Sequence, residues 1–142
     1  MDEYEDEQEV REGVWNQFRW SIQALAMDAD VQRSLFPDFT CKADELALDF
    51  DHWFKVAQGH FAKQFSNEQL VAIRAIDQKL TTMSNGGSGF DEALWWDDSL
   101  ATRSEWQEVR SLAMHALQQF GWQLEKPPWG RSQYARYEPN PE

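Results

Sequence analysis

The sequence predicts an all-α fold: a single-domain helical bundle of four main helices plus one or two short helices, with an extended C-terminal tail. Three observations carry this. Apolar residues recur with the 3.6-residue helical period through four segments. Capping and helix-breaking residues fall between those segments. No stretch alternates with period two for long enough to demand a strand, and no internal repeat recurs at a fixed spacing. At 142 residues the chain is of ordinary one-domain size and can bury a core without stapling. The helical domain is expected over residues 1–125, with 1–8 a frayed acidic segment, and the tail over 126–142.

The first helix is expected from about Glu7 to Met27, where Val14, Trp15, Phe18, Ile22 and Leu25 share one face. Trp20, Ala24, Met27 and Val31 form a second stripe roughly opposite, so this helix is either sandwiched inside the fold or offers one side to a partner. Asp28-Ala-Asp30 reads as a break and a recapping, with a short helix to Leu35 ended by Phe36-Pro37. Lys42 to Phe65 reads as the central helix, with Leu46, Phe50, Trp53, Phe54, Ala57 and Phe61 on one face. Ser66-Asn-Glu-Gln69 is a capping box, and Leu70, Ile73, Ile76, Leu80 and Met83 continue that helix to the glycine run over 84–89, a C-cap and loop. Phe90 to Leu100 is expected to hold a short helix whose acidic residues face water. Thr102-Arg-Ser-Glu105 reads as a second capping box, and Trp106, Val109, Ala113, Ala116, Leu117 and Phe120 form the stripe of a last long helix stopped at Gly121.

Composition bounds the function more than any motif does. Eight tryptophans and nine phenylalanines accompany a net charge of −12. Such a field repels nucleic acid and anionic membranes and attracts cationic partners. Asp2, Glu3, Glu5, Asp6, Glu7, Glu9 and Glu12 against the single Arg11 place half of that charge in the first twelve residues, where it complements a helix N-terminus. Single Cys41 excludes an intrachain disulfide and reads as a small half-buried thiol, which makes a reducing cytoplasm the expected compartment. No apolar run reaches the roughly 18 residues of a membrane span, and the acidic start is the opposite of a basic signal peptide. The tail from Lys126 to Tyr137 interleaves Lys126, Arg131 and Arg136 with Trp129, Tyr134 and Tyr137; three cations without a supporting basic surface are a weak nucleic-acid footprint.

The chemistry-bearing residues are few. Glu45, Asp49, His52 and His60 lie along one flank of the 42–65 helix, and spacings of four and three could bring the first three onto one metal ion. A ferritin-like di-iron bundle would need two Glu-x-x-His copies; Asp49-Phe-Asp-His52 offers one related spacing with aspartate for glutamate. A solvated acidic ridge paired with Lys42, Lys55 or Lys63 is the plainer reading. Gly86, Gly87 and Gly89 follow a helix, not a strand, and match a phosphate cradle poorly. His115 projects away from its apolar stripe, Asp77 pairs with Arg74 as a structural ion pair, and no serine sits in a nucleophile elbow. Trp15, Trp53 and Trp106 fit core stripes, whereas Trp20, Trp95, Trp96, Trp122 and Trp129 do not all fit one inward face.

The reading these features favour is a small acidic protein-binding module that docks a basic protein and needs no cofactor, similar in physical type to an immunity or antitoxin protein that caps a cationic toxin. Its interface is expected at Glu45, Asp49, Asp51, Asp91, Glu92, Trp95, Trp96, Asp97 and Asp98, where carboxylates flank tryptophans. Two other readings stand beside it. One is a metal-binding helical enzyme using Glu45, Asp49, His52 and His60. The other is a homo-oligomer, such as a homodimer burying Trp20, Ala24, Met27 and Val31 between subunits.

Overall fold

The computed structural model describes residues 3–85 and 90–129. It is all-helical, with no strand among the described residues. The long helices are α1 (Glu3–Ala26), α3 (Lys42–Phe61), α4 (Asn67–Ser84) and α6 (Ser104–Phe120); α2 (Ala29–Ser34), a 3₁₀ turn at Glu92–Trp95 and α5 (Ser99–Thr102) are short. α1 is already helical at Glu3, inside the segment expected to fray, and its acidic first turns suit the positive end of the helix dipole.

α1 packs along both α3 and α6, and α6 packs in turn along α4. The central position therefore belongs to α1, a correction to the expectation that 42–65 is the central helix. The physical reason is its second stripe: Ala24 and Met27 are buried as fully as Val14, Phe18, Ile22 and Leu25, and a helix apolar on two sides needs two neighbours. Trp20 and Val31 are half-buried. α3 stops at Phe61 rather than Phe65, where a turn closed by Gln64 N–H on the Phe61 carbonyl (2.9 Å) lets Phe65 fold into the core. There Trp15 touches the rings of Phe18, Phe61, Phe65, Phe120 and Trp122.

Helix ends follow the local chemistry except at one place. Ser66 and Gln69 form the expected reciprocal capping box, with bonds of 2.9 and 3.0 Å. Gly121 takes the left-handed conformation (φ 70°) and closes α6, its N–H bonding the Gln118 carbonyl while Trp122 N–H reaches that of Leu117. The box expected at Thr102 and Glu105 does not form. Thr102 remains in the last turn of α5 with its hydroxyl on the Asp98 carbonyl (3.1 Å), and α6 starts at Ser104. The glycines at 86, 87 and 89, expected as a C-cap and loop, lie outside the described residues.

Two polar clamps hold α1 in place. At its C-terminal end, buried Gln32 donates to the carbonyls of Ala24 (3.0 Å) and Leu25 (3.2 Å). Arg110 of α6 donates to the carbonyls of Met27 (2.7 Å) and Leu100 (3.1 Å) and to Gln32 Oε1 (3.3 Å). Further along, buried Gln23 donates to the Gln123 carbonyl and accepts from Glu125 N–H, both at 2.8 Å. This ties an extended strap over 122–129 across α1, with Trp129 buried against Phe36. The extended stretch thus begins before residue 126, and the part of the expected tail from 130 lies outside the described residues.

Burial holds the Arg110 guanidinium below its ordinary range without neutralising it, and Asp28 partly offsets this. Arg110→Ala leaves three carbonyl or amide oxygens without a charged donor and should lower the unfolding free energy by about 2–4 kcal/mol. Arg110→Lys should recover only part, since an ammonium cannot reproduce the planar fork. Urea unfolding of the three proteins checks both.

Candidate functional site

The segment between α4 and α6 has little regular structure and is fixed by side chains. Trp106 is buried and donates its indole N–H to the Leu94 carbonyl at 2.7 Å, while Trp95 donates to the Met83 carbonyl at 3.2 Å and meets Trp106 edge-on at 5.5 Å. Asp91 accepts from Ala93 N–H (3.1 Å) and pairs with Arg103 at 2.7 Å, and the guanidinium holds its carboxyl below the usual range. Asp97 accepts from the Lys42 backbone N–H at 3.1 Å and lies 3.5 Å from its ammonium. Lys42 is itself buried, its ammonium also donating to the carbonyls of Asp38 and Thr40. The start of α3 is thereby pinned to the 90s segment.

Between those two elements runs an open groove of about 560 Å³. Cys41, Asp44, Ala47 and Leu48 form one wall; Phe90, Glu92, Trp95 and Trp96 form the other, with Ser84 at one end. Its apolar members are unusually open to water: Trp96 is 62% exposed, Leu48 60% and Phe90 42%. No lysine or arginine lines it. Among the described residues Trp96 has no ring neighbour, no cation over its face and no bond to its indole N–H, whereas Trp20 and Trp122 lie under Arg19 and Trp53 meets His52. Asp44, Glu92 and the nearby Asp98 make no ion pair. Cys41 donates its thiol to the Trp95 carbonyl at 3.2 Å, and burial, reinforced by the Asp44 carboxylate, pushes that thiol up, so it is a protonated structural donor at neutral pH.

The residues singled out from sequence divide. Glu92, Trp95 and Trp96 line the groove and Asp98 is exposed close by. Asp91 and Asp97 serve structural pairs. Asp51 lies on the other side of the α3 core stripe from Glu45 and Asp49 and is bonded to Lys55 at 2.9 Å. Glu45 and Asp49 lie outside the groove lining. Asp44, Leu48 and Phe90 belong to the groove without having been singled out from the sequence, and Cys41, expected as a half-buried thiol, is exposed at its edge. Of the five tryptophans that fit no single inward face, only Trp96 is exposed; Trp20, Trp95 and Trp122 are half-buried and Trp129 is buried.

The metal reading finds no constellation: among the described residues no three His, Cys, Asp or Glu side chains are grouped to hold an ion. His52 is exposed against Trp53, and His60 lies beside Phe61. The ion pair expected between Asp77 and Arg74 is not formed; the Asp77 charge adds slightly to the stronger effect of Asp51 on Lys55. A second groove of about 510 Å³ lies between the first half of α1 and the end of α3, over Trp15 and Phe61. Its aromatic floor already carries a cation of this chain, since Arg11 sits 4.8 Å above the Phe61 ring.

Burial, reinforced by Glu45, pushes the Asp49 carboxyl up to about 7. A carboxyl whose folded value is raised binds its proton more tightly when folded, so its stabilising contribution is complete below about pH 4 and is lost as pH rises through about 7. Asp49→Asn should therefore match wild type in stability near pH 4 and exceed it by about 1–3 kcal/mol at pH 8. Chemical denaturation of both proteins across this range reads the difference.

Compared with known proteins, the chain matches no protein-family model, no curated protein and no solved structure.

Proposed function

We propose that this chain is a protein-binding module that docks a basic partner through the acidic, aromatic groove between α3 and the 90s segment. The observation that carries the reading is Trp96: a large indole left open to water, without a ring or cation partner among the described residues, in a groove edged by the carboxylates Asp44 and Glu92, neither of them in an ion pair, and lined by no cation. Exposed aromatic surface supplies contact energy, and an acidic rim steers a cationic partner and speeds association. The net charge of −12 acts in the same direction over the whole molecule. A cationic toxin neutralised by such a module, as an immunity or antitoxin protein would do, has the matching chemistry. Nucleic acid is opposed by the charge. No helix is long and apolar enough to cross a membrane among the described residues. A reducing cytoplasm suits the free, exposed Cys41.

The carboxylates Asp91 and Asp97, paired with cations, belong to the scaffold, so the test uses two that have no cationic partner among the described residues. Asp44→Lys with Glu92→Lys should leave folding intact and slow association with a basic partner by about tenfold or more at low salt, with a weaker salt dependence. The measurement is affinity capture with wild type and the double variant at two salt concentrations, followed by association kinetics on the purified protein retained. A basic protein held by wild type, released by salt and absent from the variant is the expected result. Retention indifferent to both salt and charge reversal contradicts the proposal.

A further inference from the structure

We infer that the partner's anchor is an arginine side chain, laid flat on the Trp96 indole and paired with Glu92 or Asp44, with neighbouring apolar side chains of the same segment entering toward Leu48 and Phe90. This deepens the docking proposal above and rests on it.

The fold itself contains the arrangement that the groove lacks. Arg19 lies 5.2 Å from the Trp20 ring centroid and 5.5 Å from that of Trp122, while its guanidinium pairs with Glu125 at 3.2 Å. Arg11 also lies over an aromatic ring, that of Phe61. A guanidinium between aromatic faces and a carboxylate thus joins the 122–129 strap to α1. In the groove the aromatic face and the carboxylates are present and the cation is absent. Trp96 offers the indole, the aromatic group that cations favour most. Glu92 and Asp44 both line the groove with Trp96, so a cation entering it meets negative charge.

The chain's nearby cations cannot take the position. Lys42 is buried and committed to Asp97 and two carbonyls, and Arg103 is committed to Asp91 and Glu105. Among the described residues no cation of this chain is placed over Trp96, and the inferred ligand is an arginine of the partner. Arginine fits better than lysine because its planar, weakly hydrated guanidinium can stack and pair at once, whereas an ammonium is a compact, strongly hydrated point charge. Leu48 and Phe90 add an apolar requirement that free arginine does not meet, which makes the expected ligand a segment of protein.

The test is an NMR titration of the full chain with acetyl-Leu-Arg-amide, its lysine counterpart and its citrulline counterpart, which keeps the shape and removes the charge. The readouts are the Trp96 indole N–H, assigned by its loss in Trp96→Phe, and the Leu48 methyls. The arginine peptide should shift both signals saturably in the millimolar range, with the lysine peptide about threefold or more weaker and the citrulline peptide without saturation. Glu92→Gln and Asp44→Asn should each weaken binding by about threefold while leaving the rest of the spectrum unchanged. Equal shifts with citrulline, or shifts elsewhere on the protein with Trp96 unmoved, overturn the arginine anchor. If the partner captured by wild type still loses binding on charge reversal of Asp44 and Glu92, only the anchor fails and the docking proposal stands. If both measurements fail, both fall.

Discussion

The structure depends on satisfying the buried C-terminal end of α1. A helix buried on two sides ends with carbonyls that water cannot reach, and each unpaired one costs about 1–3 kcal/mol. Gln32 and Arg110 supply the donors, and in doing so they join α2 and α6 to α1 and reach the carbonyl of Leu100 in α5. From that junction the chain runs through Phe36 and Pro37 to the start of α3, where Lys42 and Asp97 lock it to the 90s segment. The two walls of the groove are therefore held by the same polar framework that closes the core.

The acidic residues serve two purposes that the net charge conceals. Asp91 and Asp97 are spent on Arg103 and Lys42, and Glu105, Glu108 and Glu125 likewise have cationic partners. Asp44, Glu92 and Asp98 have none, and they lie in or close to the groove. Surface pairs of this kind add little stability, but they offset charge locally, whereas the carboxylates of the groove are left without a cation beside the open aromatic surface. A rigid wall behind that surface matters too. Trp95 and Trp106 bond backbone carbonyls on either side, so an exposed Trp96 is presented by a segment that pays little ordering entropy on binding.

Much of the fold was legible from periodicity. The stripes through Phe18, Phe50, Ile73 and Val109 predict four helices with the correct inward faces, because burial of one face is what selects those residues. The Ser66 box and the Gly121 stop were readable because their chemistry is local. Thr102 offered the same letters as Ser66, yet its hydroxyl was claimed by the preceding turn, a competition that four residues of sequence do not reveal. Gln23, Gln32 and Arg110 left no trace, since their roles depend on carbonyls up to a hundred positions away. The groove was half legible: carboxylates beside adjacent tryptophans marked one wall, but Cys41, Asp44 and Leu48 join it only through tertiary packing, and which carboxylates are free depends on where Lys42 and Arg103 end up.

The central claim is that free negative charge and open aromatic surface coincide at this groove, and it can be measured without a partner. Paramagnetic relaxation of the protein's protons by a cationic and an anionic nitroxide of equal size gives the electrostatic potential at each site. The cationic probe should dominate at the Trp96 indole and the Leu48 methyls by a clearly larger ratio than at Val71, an equally open apolar residue on α4. A ratio at Trp96 and Leu48 no greater than at Val71 would contradict the claim.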